Sequence, residues 1–239
     1  MDSGANGDGG GDTGDAGTDA SIQPFSGPAV EHGIMLDYTS LMPVAGVTVT
    51  DHGASAMTDA NGVWSIAVPP NTPLLSPLIT FPKYGPTYFP EAVPVAADID
   101  FGANVFATAS LFGVAQSGLG NDMTKGLAYI VVYLMPSCPS AVGGTIKLLA
   151  PSGTSTVYFS SDSLPDNTVK SFQAVDSPRP VAVVFNIPLG ADLSIEMSHP
   201  TCTQVPFPFM RDGRMYDGKV PIVATEPGDY SSALVLMLQ

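Results

Sequence analysis

Basic residues are scarce: 8 Lys and Arg stand against 22 Asp and Glu in 239 residues, a formal charge of −14, and neither Lys nor Arg occurs before Lys83. Nucleic-acid affinity is built largely on Lys and Arg neutralising phosphates, so nucleic acid is excluded as a partner. The same shortage leaves no basic amphipathic helix to hold an anionic membrane surface. Charged residues of both signs make up only 13% of the chain, about half the share of an average soluble domain. Much of the surface must therefore be Ser, Thr, Asn, Gly and backbone. Long apolar runs are also missing. The longest, Leu127 to Met135 (LAYIVVYLM), has nine residues, far below the roughly 20 that a helix needs to span a bilayer, and it reads as a buried strand. No charged region followed by an apolar core stands at the start, so a secretory signal is expected either to have been removed or never to have existed.

Catalytic vocabulary is equally thin. Three His in the entire chain leave few ways to build a general base, and no Gly-x-Ser-x-Gly elbow occurs to expose a serine nucleophile. A phosphate cradle would need a Gly-x-x-x-x-Gly-Lys loop opening a helix, and neither is present. The 23 Pro and 25 Gly are distributed throughout and leave no segment for a capped helix of ten or more residues. No enzyme activity and no cofactor are expected.

The chain opens with an acidic leader. Residues 2 to 20, DSGANGDGGGDTGDAGTDA, hold no apolar residue larger than Ala, so the segment cannot recover the entropy of ordering itself, and residues 1–24 are expected to be a disordered tether. Its Asp and Asn do not fall at the twelve-residue spacing of a calcium loop with a closing Glu. In composition the tract resembles the spacer that follows the lipid-modified cysteine of bacterial surface lipoproteins, with Met1 standing where that cysteine would be. This resemblance implies a membrane anchored only through an N-terminal lipid.

From about Val30 the texture changes to short runs rich in Val, Ile, Thr, Tyr and Phe, broken by Gly, Pro, Asn and Asp. Expected strands are Gly33 to Asp37, Gly46 to Thr50, Val63 to Val68, Leu78 to Phe81, Ala92 to Val95 and Ala103 to Ala109. A second set is Ala128 to Leu134, Gly144 to Leu149, Thr156 to Ser160, Ser171 to Val175, Val181 to Ile187, Asp192 to Ser198 and Ala233 to Leu238. Short strands at this spacing define an all-β class, sandwich or barrel. Asn61-Gly62 accepts the positive φ values of a tight hairpin turn, which predicts that Pro43 to Val68 folds as adjacent antiparallel strands. In the strand that follows, Trp64, Ile66 and Val68 share one face, so the single Trp is expected in the core.

Gly33-Ile-Met-Leu-Asp37, Pro43-Val-Ala-Gly-Val-Thr-Val-Thr50 and Thr58-Asp-Ala-Asn-Gly-Val-Trp-Ser-Ile-Ala-Val-Pro69 together resemble a carboxypeptidase regulatory-like domain, one of the transthyretin-like (prealbumin-like) sandwiches. The resemblance covers residues 30 to about 108. It implies a seven-stranded antiparallel sandwich with no chemistry of its own, used as a folding, spacing or docking element. The zinc-binding His-x-x-Glu pair of the metallocarboxypeptidases that named the family is absent: the contexts here are His32-Gly-Ile-Met, His52-Gly-Ala-Ser and His199-Pro-Thr-Cys. The second half resembles a divergent copy, with Lys125 to Tyr133 in place of the PVAGVTV strand and Val181 to Pro200 as the closing hairpin. The expected organisation is two tandem antiparallel β-sandwich modules, 25–110 and 111–239, behind the leader.

Few side chains remain as site candidates. Cys138 and Cys202 lie at expected strand ends; in an oxidising compartment they would form a disulfide worth about 4 kcal/mol by loop entropy. A rival arrangement takes Met197, His199 and Cys202 as thioether, imidazole and thiol donors for soft copper, and an all-β chain carrying copper or calcium outside the cytoplasm is the alternative function. Asp98/Asp100 and Asp162/Asp166 are paired carboxylates in turn-like contexts, suited to calcium before acid–base work. Some related surface sandwiches crosslink Lys to Asn within a domain; Lys125, assisted by Glu196, is the place to look. Aromatics and prolines cluster in Leu78 to Pro90 and in Val205 to Tyr216, either as loops capping the sandwich ends or as a recognition surface. The leading expectation is a non-catalytic surface or periplasmic module meeting a protein or glycan partner.

Overall fold

The computed structural model describes residues 23–106, 126–150, 156–161, 164–166, 168–173, 181–188, 192–217, 220–221 and 231–239. Among them the chain is all-β with no helix. The first half contributes β1 (Ala29–Asp37), β2 (Thr48–Asp51), β3 (Ala54–Met57), β4 (Val63–Val68), β5 (Leu78–Thr80), β6 (Thr87–Tyr88), β7 (Val93–Pro94) and β8 (Asp98–Phe106). The second contributes β9 (Gly126–Leu134), β10 (Thr145–Ala150), β11 (Thr156–Ser161), β12 (Leu164–Asp166), β13 (Val181–Ile187), β14 (Asp192–Ser198), β15 (Phe209–Arg211), β16 (Arg214–Tyr216), β17 (Val220–Pro221) and β18 (Ser231–Leu238). Residues 1–22 of the leader, Ala107 to Ala109 of the sixth expected strand, and Ala174-Val175 lie outside the described residues.

Strand β4 alternates without exception between exposed and buried positions, as expected. Its inward set ends in a cluster where Trp64 meets Phe89 and Phe101 at centroid distances of 5.8 and 5.6 Å. Such tilted aromatic contacts add to what burial of the rings already contributes. Met35, Val47, Val49, Leu75, Ile79 and Ile99 complete this first core.

The turn before β4 differs from the expected hairpin. β4 pairs with β1, whereas β3 pairs with β2, so Asp59 to Gly62 carries the chain from one sheet to another. The turn chemistry itself is as read: Asp59 accepts hydrogen bonds on its side chain from the amides of Asn61 (2.8 Å) and Val63 (2.9 Å), and Gly62 has φ 74°. Turn residues specify a reversal but not which strands it joins. The hairpin in this region is β2–β3, closed by His52 and Gly53 with φ 46° and 77°, the consecutive positive pair of a two-residue hairpin turn. Thr58 pins the corner from within: its hydroxyl donates to the Val44 carbonyl (2.7 Å) and accepts from the Val47 amide (2.9 Å).

Ser171 to Gln173, expected as strand, is irregular. Phe172 nevertheless anchors there, exchanging backbone hydrogen bonds with the Gly143–Gly144 turn and burying its ring in the second core. That core gathers Ile130, Val132, Ala182, Val184, Ile187, Leu193, Ile195, Leu236 and Leu238.

Three three-stranded sheets, β4-β1-β8, β10-β14-β17 and β15-β16-β7, accompany a nine-stranded one in the order β12-β11-β13-β9-β18-β6-β5-β2-β3. Most ladders are antiparallel; β1–β8, β18–β6 and β18–β9 are parallel. The C-terminal strand β18 thus joins the halves. One edge pairs with β9 along its whole length. The other meets β6 at Ser231-Ser232 and the 203–205 segment at its end, where Thr203 and Gln239 exchange hydrogen bonds of 2.8 and 2.9 Å.

Gly62 marks the tightest point of the first core, because a Cβ there would lie 2.5 Å from the Met35 carbonyl oxygen while holding a left-handed φ. Gly62→Ala is expected to lower stability by about 2–4 kcal/mol, measured as a drop in the urea midpoint at unchanged slope.

Candidate functional site

A small hairpin, β15–β16, brings the second half onto the first. β16 pairs with β7, and the Val95 amide donates to the Gly213 carbonyl at 2.8 Å. Its Arg214 points inward, 2% exposed, with its guanidinium 3.9 Å above the Phe101 ring and Nη2 donating to the Asp100 carbonyl at 3.0 Å. Phe209 and Tyr216 meet in a tilted contact beside it and bury with Ala92. On the outer side Arg211 lies 3.3 Å over the Tyr133 ring and donates from Nε to Asp212 at 2.8 Å.

Arg214 lies near the buried carboxyl of Glu31, which in turn neighbours that of Asp51. Glu31 sits in the inward phase of β1 with Ala29, Gly33 and Met35 and is fully buried. Asp51 closes β2 in the inward phase of Val49, and its carboxylate accepts from the amides of His52 (2.9 Å) and Ser76 (3.1 Å), with His52 Nε2 at 3.3 Å. Burial pushes Glu31 up to about 8; the Asp51 charge adds to this and Arg214 opposes it. Burial also raises Asp51, against the pull of its amide donors and His52. With both carboxyl groups ionised the three buried side chains would carry a net negative charge; with Glu31 protonated they are neutral. No hydrogen bond of good geometry reaches either Glu31 oxygen, although the Asp51 carboxyl lies close enough to share the proton. The cluster holds a proton at neutral pH.

This cluster was not singled out from the sequence. The available signal was Glu31 falling in register with Ala29 and Met35 on an alternating strand; nothing local in Arg214 indicates that it reaches another core.

The sequence candidates fall elsewhere. Cys138 and Cys202 are bonded, with Cα atoms 5.7 Å apart, which commits the thiol that the copper arrangement needed. Cys138, Cys202 and His199 do converge, their donor atoms all within 4.8 Å of one another. Met197 is buried in the second core beside them. Asp98 and Asp100 are exposed and flank His32, whose Nε2 lies 3.0 Å from Asp98; Asp100 also accepts from the Gly102 amide at 2.6 Å. These are solvated carboxylates on strand β8, not in the turn expected of them, where period-two alternation leaves both on the outer face beside His32. Asp162 and Lys125 lie outside the described residues, and Glu196 is exposed on β14 opposite Lys147. The three His occupy separate elements and form no common site.

The aromatic stretches serve packing. Phe89, Phe209 and Tyr216 are buried; Phe81 meets Tyr84 in a tilted contact at 5.6 Å, and the Tyr84 hydroxyl donates to Asp37 at 2.7 Å. That hydrogen bond raises the Tyr84 phenol to about 12. Burial works against ionised Asp37, but Tyr84 together with the Ser40 and Thr39 donors outweighs it and holds the carboxyl below its ordinary range.

No family model matches the chain, and no curated protein does. Solved structures it resembles include the Bacillus anthracis TIE protein, at 11% identity over 88% of this chain and 34% of that one, with a TM-score of 0.24. A streptococcal ancillary pilin is 10% identical over 89% and 62%, TM-score 0.24. The shaft pilin SpaA from Lactobacillus rhamnosus GG is 9% identical over 89% and 97%, TM-score 0.22. The chain spans about a third of the first of these proteins and under two thirds of the second. Superpositions this loose carry no argument about activity or partner.

The Glu31 proton makes stability depend on pH. A carboxyl group raised on folding stabilises fully below its unfolded value of 4.5, and the contribution is lost as pH rises through about 8. Urea titrations at pH 5, 7 and 9 are expected to show the parent losing roughly 2–4 kcal/mol more across this range than Glu31→Gln; parallel curves would refute a protonated Glu31.

Proposed function

We propose that the chain is a non-catalytic β-sandwich module of the cell exterior, outer surface or periplasm, which gives rigid spacing and presents its loops to a protein or glycan partner. The observation that carries this reading is the nine-stranded sheet that runs through β18 from one half into the other. The paired strand and the buried hairpin oppose relative motion of the halves, and the carboxyl pair at their junction is buried and holds a proton.

The finer readings belong to the same proposal. Two cores support a division into sandwich modules 25–110 and 111–239. The order β1, β2–β3, β4 with Trp64 inward supports the carboxypeptidase regulatory-like assignment of residues 30 to about 108; the parallel β1–β8 ladder departs from a purely antiparallel plan. A tether on a lipid-modified cysteine and an oxidising location agree with the Cys138–Cys202 bond.

Protease added to intact cells is expected to remove the native protein, and the unreduced chain to be two hydrogens lighter than the reduced one by mass spectrometry. Recovery in the cytoplasmic fraction with both thiols free, or catalytic turnover by the purified chain, would sink the reading. Glycan arrays and pull-downs then separate a binding role from a pure spacer.

A further inference from the structure

Cys138 follows β9 in a tight turn, its amide donating to the Met135 carbonyl at 2.8 Å, and is fully buried. His199 and Cys202 follow β14 and are partly exposed. Around His199 the hydrogen bonds fix the tautomer. The amides of Cys202 (3.0 Å) and Thr201 (3.2 Å) both point at Nδ1, which must therefore be the unprotonated nitrogen. Nε2 then carries the hydrogen and donates it to the Val142 carbonyl at 3.1 Å. Nε2 is thus held by a carbonyl, as the outer nitrogen of a metal-binding histidine is, while the Nδ1 lone pair, beside Cys202, accepts from the two amides. Gly144 makes room for it: a Cβ there would lie 3.2 Å from His199 Cδ2 and 2.5 Å from Met197 Cε.

We propose that reduction of the Cys138–Cys202 bond opens a soft-metal site in which the two thiolates and His199 Nδ1 bind one cuprous ion. In the bonded state neither sulfur is a thiolate and the site is closed. A dithiol reductant attacks the more accessible Cys202 sulfur and leaves as its own disulfide, so that two electrons and two protons arrive on Cys138 and Cys202. The cation then displaces both thiol protons. Cα atoms 5.7 Å apart let the sulfurs span an ion at about 2.3 Å from each, and binding at Nδ1 exchanges the Cys202 and Thr201 amide hydrogen bonds for the metal. Two thiolates and one imidazole select Cu(I) among available ions, since soft sulfur ligands favour it. Zinc prefers a fourth ligand, and no further His, Cys, Asp or Glu joins the cluster among the described residues. The inference goes beyond the spacer reading and does not depend on it.

The test is to reduce the full chain with a phosphine, remove the reagent without air, and titrate with Cu(I) carried by bicinchoninate. The reduced chain is expected to take one copper per molecule from the chelator and the oxidised chain none. His199→Ala should weaken uptake at least about tenfold, and Cys202→Ser should abolish it. Circular dichroism of the reduced chain should retain the β spectrum. Absence of uptake, uptake undiminished in His199→Ala, or loss of the β spectrum on reduction each overturns the proposal.

Discussion

The position of the C-terminal strand decides the architecture. β18 is bonded on both edges: β9 along one side, and β6 followed by the 203–205 segment along the other. A terminal strand enclosed in this way has both edges satisfied only when both flanks are in place, and β6 and β9 come from different halves. The parallel pairing has the same root. Parallel neighbours need a long connection between them, and here that connection is much of the chain. The continuity of the nine-stranded sheet therefore rests on the last residues in sequence.

The junction is fixed a second time by charge. Arg214, Glu31 and Asp51 come from β16, β1 and β2 and meet where water is excluded. Removing a guanidinium from water is costly, and its attraction to a carboxylate only partly repays this. What the group contributes is selectivity of docking. A hairpin placed one residue out of register would leave Arg214 buried without the Asp100 carbonyl, the Phe101 face and the carboxyl pair together. The proton on Glu31 belongs to the same balance, since it removes the surplus negative charge that one guanidinium cannot offset.

Much of this was legible in the residues. β4, β13 and β14 have the expected bounds, because each alternates or runs apolar between clear turn signals. Trp64 lies inward because period-two alternation depends only on local sequence. Pairing was less legible. The Asp59–Gly62 corner and the His52-Gly53 hairpin both contain turn residues, and only the hydrophobic demand of two separate sheets decides which is the hairpin. β3, β6, β12 and β15–β17 are four residues or shorter, too short for a periodic signal. The Phe- and Tyr-rich stretches illustrate a further limit: composition marks aromatic rings but not whether they face solvent, and here Phe89, Phe209 and Tyr216 fill the junction and the first core.

The disulfide acquires its meaning from the same strand. Cys138 lies just beyond β9, after Met135, whose amide donates to the Leu238 carbonyl at 2.9 Å. Cys202 immediately precedes Thr203, which bonds Gln239 on the opposite edge. The covalent link therefore joins the two segments that flank the end of β18, and closes around it. Its loop-entropy contribution is diffuse, but its location is specific. In the oxidised chain the end of β18 is enclosed by a crosslink as well as by hydrogen bonds; in the reduced chain hydrogen bonds alone enclose it. A redox change at partly exposed Cys202 thus acts on the strand that unites the halves, which makes this bond the place where chemistry outside the protein can reach its long-range order.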